Sequence, residues 1–517
     1  MKKYQLPIVG IYLVLVLLFS CKPSSEEKKN QTTVAVEKKQ VELYNSYCAS
    51  CHIAPKISDL PKDIWETAIL PEMGARMGIR DLEHDPMKGI SLRDQYAAGQ
   101  SGVFPTKPII KQEDWKLLKD YIIRLAPDSL ISSEKNKPHK ELTQFVSKSI
   151  TLDTTNLALF SFLDYAENQK KLVTGDMHGY LATYDFKKNK VIKRTKFKSP
   201  VVDYLEKDGI GYVTTIGRID PSEIASGGIS TVKNGTVNYI PEVLHRPVHT
   251  LVHDINNDGN DELVVSEFGY FTGKLSLLTK ENEGYKKRIL QNQVGATRVI
   301  AKDMNGDGKD DLVALFAQGD ENITIFYQED NLSFKADKVL RFNPVYGSSW
   351  FEVVDYDDDG DQDIITVHGD NADRSTIHKP YHGMRIHIND GNNVFAEHYF
   401  YPLNGATRFV AKDFDIDGDI DFGVLANFPD YENHPEFSFV YLENINASNF
   451  EFKPFTFKDS MLGRWLLLDS GDIDNDGDED IILSAFSYTF SPIPDGLQEK
   501  WEKEKAHLMV LENIQIE

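Results

Sequence analysis

Cys48 and Cys51 stand three residues apart, with His52 directly behind the second thiol, in the stretch NSYCASCHIAP. Two thiols and an imidazole at this spacing suit three chemistries: a disulfide, a zinc site, or thioether attachment of a haem whose iron takes His52 as axial ligand. The chain has three cysteines. Cys21 closes an apolar run near the N-terminus, which leaves only this pair for the rest of the chain. A multi-bridge framework is then impossible, a zinc site would need ligands from elsewhere, and a redox C-x-x-C would need a flanking βαβ unit that the pattern does not offer. The reading carried forward is one covalent haem c on Cys48 and Cys51, with its iron on His52. A thioether sulfur opposite His52 would raise the reduction potential and favour electron transfer. Among Met73, Met77 and Met87 the preferred donor is Met73; Met77, four residues on and on the same helix face, is the alternative.

A second set of residues repeats five times. DINNDGNDE starts at Asp254, DMNGDGKDD at Asp303, DYDDDGDQD at Asp355, DFDIDGDID at Asp413 and DIDNDGDED at Asp472, and the starts lie 49, 52, 58 and 59 residues apart. Oxygens at alternate positions of a tight loop converge on one point, and the sixth-position glycine allows the turn that brings them there, which is calcium chemistry. The expected ligands are Asp254, Asn256, Asp258, Asn260 and Glu262 in the first loop and Asp303, Asn305, Asp307, Lys309 and Asp311 in the second. The third offers Asp355, Asp357, Asp359, Asp361 and Asp363, the fourth Asp413, Asp415, Asp417, Asp419 and Asp421, and the fifth Asp472, Asp474, Asp476, Asp478 and Asp480. The seventh position ligates through its backbone carbonyl, so Lys309 is compatible with binding. About five Ca2+ ions are expected, one per loop. These loops hold 25 carboxylates against a formal net charge of −23, so the acidity of the chain is mostly metal ligation. It argues against a nucleic-acid partner, which needs clustered Lys and Arg.

A third set precedes the loops. Five residues before the loop aspartates stand His249, Arg298, Trp350 and Arg408, and Trp465 joins them if the last repeat carries a two-residue insertion. At about 3.3 Å per residue these side chains lie ~16 Å from the loops, towards the opposite face. Cationic and aromatic groups converging on a channel would suit an anionic or sugar-like ligand; the structural alternative is that Arg pairs with a neighbouring carboxylate and Trp plugs the channel.

The elements that must position these groups are of two kinds. KQVELYNSYCASCH and QEDWKLLKDYIIRLAP carry apolar residues at helical spacing, the second with Glu113 and Asp114 at its start and Pro127 at its stop. Beyond the polar stretch ISSEKNKPHK the loops run straight into β-type segments such as DLVALF and DIITVH, where an EF-hand would continue as helix. A period near fifty is that of a propeller blade. Asp164 and Asp203 mark two earlier repeats without ligand loops, giving seven. The last repeat lacks its fourth strand, and QFVSKSITL, residues 144–152, is expected to supply it and close the ring.

Three resemblances follow from these motifs. The N-terminus, two lysines, an apolar run and then Leu18-Phe19-Ser20-Cys21, resembles a bacterial lipoprotein signal with its lipobox, which implies lipid on Cys21 and a place in the cell envelope, on the outer membrane, facing the periplasm or the surface. Residues 38–128 resemble a cytochrome c domain, specifically at the C-x-x-C-H motif. Residues 145–517 resemble the FG-GAP or VCBS repeats of integrin α-chain propellers. The expected order is a signal (1–21), a tether (22–37), an all-α haem domain (38–128), a linker (129–144) and an all-β seven-bladed propeller (145–517). This implies an electron-transfer lipoprotein whose calcium-bearing propeller docks a redox partner protein, a small molecule or a carbohydrate, and no catalytic residue set stands out. Two rivals remain open: a propeller that is itself an oxidoreductase feeding the haem, as in quinoproteins, and a carbohydrate-binding or lyase module.

Overall fold

The computed structural model describes residues 35–81, 83–131, 140–152, 157–281, 284–370, 375–488 and 491–516; Cys21 and most of the expected tether and linker lie outside them. Seven sheets follow one another along the chain. Blade 1 runs from Phe160 to Lys196, blade 2 from Val201 to Tyr239, blade 3 from Pro247 to Gln291, blade 4 from Ala296 to Arg341, blade 5 from Ser348 to Pro402 and blade 6 from Ala406 to Thr456. Blade 7 takes three strands from the C-terminus, between Trp465 and Asn513, and its fourth from the start of the domain: Phe145–Ile150 pairs antiparallel with Leu508–Asn513. The expected ring closure is observed.

The burial pattern explains the strand sequences. The second strand of a blade is sandwiched between neighbouring blades, so ELVVSE, DLVALF, DIITVH, DFGVLA and DIILSA are buried at every residue and read as continuous runs. The outermost strand, such as FKADKVLR, is largely exposed and alternates poorly. The core is accordingly seven apolar layers, one at each blade junction. Two residues of the expected linker, Lys140 and Glu141, add a short parallel edge strand to blade 6.

Two expectations are corrected. Asp164 and Asp203 do not open their repeats: they lie inside the innermost strands Phe160–Ala166 and Val201–Lys207. The register of the other blades places Glu167 and Asp208 at the loop start, followed by short turns with no ligand loop. Trp465 needs no insertion to explain it. Every innermost strand carries the same register irregularity, between Ala296 and Arg298 in blade 4 and between Trp465 and Leu467 in blade 7, so Leu467 is the counterpart of Arg298. Trp465 sits two residues earlier, fully buried, with its indole N–H donating to Ser460 O at 2.6 Å.

The helices before the propeller form a separate unit with its own core, centred on Leu60, Trp65, Leu70, Trp115, Leu118 and Ile122. Its first helix, residues 35–43, continues through a π turn, Tyr44–Cys48, into the C-x-x-C-H stretch. The last helix, Gln112–Leu125, ends before Pro127 as expected. First and last helices pack together: Gln40 Nε2 donates to Leu117 O at 3.1 Å, Arg124 donates to Gln40 Oε1 at 3.2 Å, and the Tyr44 and Tyr121 rings meet edge-on at 6.1 Å. Among the described residues no helix is long and apolar enough to cross a membrane.

Candidate functional site

Each acidic loop joins the innermost strand of its blade to the second strand, so all five open on one face of the propeller. Their backbones turn in the same way. The first aspartate receives two loop N–H groups: in blade 5 Asp355 Oδ1 accepts from Asp359 N at 3.1 Å and Oδ2 from Gly360 N at 3.0 Å. The glycine has positive φ in every loop, between 81° and 106°, and an added Cβ would meet nothing closer than 3.9 Å, so conformation and not space demands it. Three loops bring three carboxylate oxygens within 4.8 Å of one another: Asp355, Asp357 and Asp359; Asp413, Asp415 and Asp421; Asp472, Asp474 and Asp476. The other two place Asn256 and Asn305 at the third position, where an amide oxygen replaces a carboxylate.

Sequence reasoning did not separate the roles within a loop. The ninth-position acids Asp311, Asp363, Asp421 and Asp480 are wholly buried and tie the loop to its sheet. Asp363 Oδ2 accepts from Tyr356 N at 2.9 Å and Oδ1 from Asn389 N at 2.8 Å; Asp480 does the same with Ile473 N and Asn513 N, both at 2.8 Å. Burial, reinforced by neighbouring carboxylates and opposed by these N–H groups, pushes Asp363 up to about 6 and Asp421 and Asp480 up to about 7. The loops fit a cation for a further reason: Asp419 Oδ1 and Asp478 Oδ1 are buried and have no hydrogen-bond partner among the described residues. The Lys309 amine is no obstacle, because it turns away to Glu329 O.

At the other end of the innermost strands lies the ring. Phe162, Asp203, His249, Arg298, Trp350, Arg408 and Leu467 occupy one register position in blades 1 to 7. One strand step towards the loops lie Asp164, Glu352 and Asp469. The sequence reading included four of the seven ring residues and missed the carboxylates as channel groups: in the sequence Asp164 and Asp203 read as repeat starts, and Glu352 and Asp469 belong to no motif. Arg298 of blade 4 forms a paired salt bridge with Glu352 of blade 5, at 2.8 and 3.1 Å, and Trp350 Nε1 donates to the same carboxylate at 2.8 Å. The Arg298 and Arg408 guanidiniums, from the blades on either side, both lie over the Trp350 ring, 3.9 and 4.1 Å from its centre. Burial, with help from the two arginines, pushes His249 down to about 3, so it is neutral.

The C-x-x-C-H stretch lies on the helical unit. Cys48 is half-buried against the helical core, Cys51 is exposed, and the two thiols are not joined. Burial pushes the Cys48 thiol up to about 12. His52 Nδ1 donates to Ile53 O at 2.8 Å, which leaves the Nε2 lone pair free. Met77 lies inside the same core and Met73, on the helix Leu70–Arg76, packs against it.

This unit docks on the propeller face opposite the acidic loops. Its contacts are to connections between second and third strands, or from one blade to the next. Asp59 accepts from Asn343 Nδ2 at 2.6 Å and its carbonyl from Tyr381 OH at 2.8 Å, while Val345 and Ile377 pack against the helical core. On blades 2 and 3, buried Asp94 accepts from Ser222 Oγ at 2.6 Å and Glu223 N at 2.8 Å, and Phe104 meets Phe271 edge-on at 5.0 Å. Burial alone would raise the Asp94 carboxyl; its hydrogen bonds and the Arg218 charge hold it below the ordinary range.

Residues 303–366, from the second acidic loop into blade 5, match the model of the FG-GAP-like repeat. No curated protein matches the chain. Among solved structures, the Neurospora crassa Pan2 WD40 domain is similar at 11% identity, with 72% of this chain and 97% of that one covered and a TM-score of 0.44. The N-terminal domain of Nup159 is similar at 11% identity, covering 74% of this chain and 99% of that one, with a TM-score of 0.42.

Proposed function

We propose that this chain is an exported, lipid-anchored c-type haem protein of a bacterial cell envelope, in which a calcium-bearing propeller carries the haem unit and docks a ligand or redox partner. The observation that carries the reading is the donor set on the helical unit. Two unbridged thiols and an imidazole stand in C-x-x-C-H order beside an apolar core that also holds two methionines. A ring N–H donated to a backbone carbonyl, as at His52, is the device that orients a metal-binding histidine and leaves its other nitrogen for the metal. Packing of the first helix on the last agrees with the cytochrome c resemblance.

When bound, haem supplies one-electron chemistry. The chain's own residues would do the rest: Cys48 and Cys51 would tether the group, the His52 imidazole would bind its iron, Met73 or Met77 would offer a thioether, and the apolar core of the helical unit would shield it on one side. Lipid on Cys21 would hold the protein at the membrane. The five acidic loops would hold one Ca2+ each, which stiffens the face opposite the haem unit.

The test is expression with a working haem-attachment system, followed by optical spectra of the exported protein. Wild type is expected to show a reducible haem spectrum that Cys51→Ser and His52→Ala weaken or abolish. Met73→Ala is expected to remove the thioether-to-ferric charge-transfer band, and loss with Met77→Ala alone would reassign that ligand. Wild type without haem bands would refute the proposal.

A further inference from the structure

The channel charges are unevenly satisfied, and the imbalance points to a ligand class. Arg298 is neutralised by Glu352. Arg408 makes no hydrogen bond and no ion pair among the described residues: it lies over the Trp350 ring and feels the charges of Arg298, Glu352, Asp203 and Asp469 without pairing with any of them. Burial, and then Arg298, lower its affinity for a proton, yet it stays charged near neutrality. Blade 7, next to that of Arg408, presents Asp469, and blades 1 and 2 beyond it present Asp164 and Asp203. Asp469 and Asp203 each accept one backbone N–H of the next blade, from Tyr165 and Thr250, both at 2.6 Å, and Asp469 takes a second from Ser470 N at 3.0 Å. Asp164, between them, accepts none from any described residue. The channel thus has a basic pole with free guanidinium donors at Arg408 and an acidic pole centred on Asp164, whose carboxylate meets no donor among the described residues, offset from Arg408 by about one strand step, ~7 Å.

Simple occupants fit poorly. A lone anion at Arg408 would face three carboxylates, and a lone cation at Asp164 would leave Arg408 unpaired. A metal ion is disfavoured because, among the described residues, only acidic loops bring three such oxygens within 4.8 Å. A sugar would want a bare aromatic face, and guanidiniums from both flanking blades lie over Trp350. We propose that the channel binds a small zwitterion, its ammonium group held by Asp164 between Asp203 and Asp469 and its carboxylate held by Arg408. A carboxylate pairs with guanidinium through two parallel hydrogen bonds, and an ammonium donates three, so both poles are satisfied at once. The inference deepens the ligand-binding half of the function proposed above and does not require haem.

The test is calorimetric titration of the full exported chain, in saturating calcium and whatever its haem content, with glycine, 4-aminobutyrate, acetate and ethylammonium. At least one of the two zwitterions is expected to bind ten-fold or more tightly than either single-charge probe. Arg408→Met and Asp164→Asn, checked for retained melting temperature and calcium content, are each expected to weaken that binding at least ten-fold. Should either variant fail to fold, Arg408→Lys, which keeps the charge but loses the paired geometry, is expected to weaken binding by a similar factor. No binding by either zwitterion, equal binding by acetate or ethylammonium, or unchanged binding in the folded variants would overturn the proposal. Loss of haem in the tests of the previous subsection would leave this result untouched, so the two claims fail separately.

Discussion

The two ends of the propeller's innermost strands hold charge in opposite ways. At the loop end, like charges crowd near solvent, with oxygens that no described residue satisfies. At the channel end, charges of both signs sit inside the ring, and one guanidinium is matched to one carboxylate. Crowded carboxylates gain from an added cation, whereas an internal pair loses when either member is removed. The same strand therefore connects a cluster that an added cation would stabilise to one that partly supplies its own partner.

The largest expected effect is at the loop end. A ligand present at 100 times its dissociation constant stabilises by about 2.7 kcal/mol per site, so chelation should lower the melting temperature strongly, measured by calorimetry with and without chelator. An unchanged melt would remove the contrast. Next comes the channel. Arg298→Met strands Glu352 and should cost about 3 kcal/mol, the lower end for a broken buried pair, because both side chains are partly accessible at 17% and 27%. Arg408→Met strands no partner and should stay within about 1 kcal/mol of wild type in denaturant melts. Equal costs would show that both arginines are braces.

A smaller effect concerns pH. Burial, reinforced by Asp164, pushes Asp203 up to about 7, and Asp469 is pushed to about 7 in the same way. A carboxyl with a raised folded-state value binds its proton more tightly when folded. Its contribution is fully present below the unfolded value, about 3.9, and is lost as pH rises through about 7. In saturating calcium, the wild-type melting temperature should therefore fall relative to that of Asp203→Asn with Asp469→Asn between about pH 4 and 7. The smallest effect is local. Ile416 holds a left-handed φ of 62° where other loops place Asn257 and Asn475, so Ile416→Asn should stabilise by about 1 kcal/mol in the same melts.

The loop end was legible in the sequence because its residues recur in phase. Five copies of one pattern mark the acidic loops, blade length and strand starts together, and the missing strand at Phe145–Ile150 followed from counting strands. What stayed hidden was the division of labour inside a loop, since Asp363 and Asp359 are the same residue type and differ only in burial and in the N–H groups they meet. The channel was half legible. Counting back from the loop aspartates reached His249, Arg298, Trp350 and Arg408 but misplaced Trp465, because Leu467 carries no chemical signal in a search for charged and aromatic groups. Asp94, which ties the helical unit to blade 2, was invisible: its partners Ser222 and Glu223 are more than a hundred residues away, and no local pattern couples them.

The central claim is that the helical unit carries covalent haem, and one measurement tests it most directly. Exported protein is denatured, extracted with acidified organic solvent, and assayed for haem and for free thiol on the same sample. One haem that stays with the chain, together with no titratable thiol at Cys48 or Cys51, is the expected result. Two free thiols and no retained haem, from a strain that attaches haem to a control protein, would contradict the account.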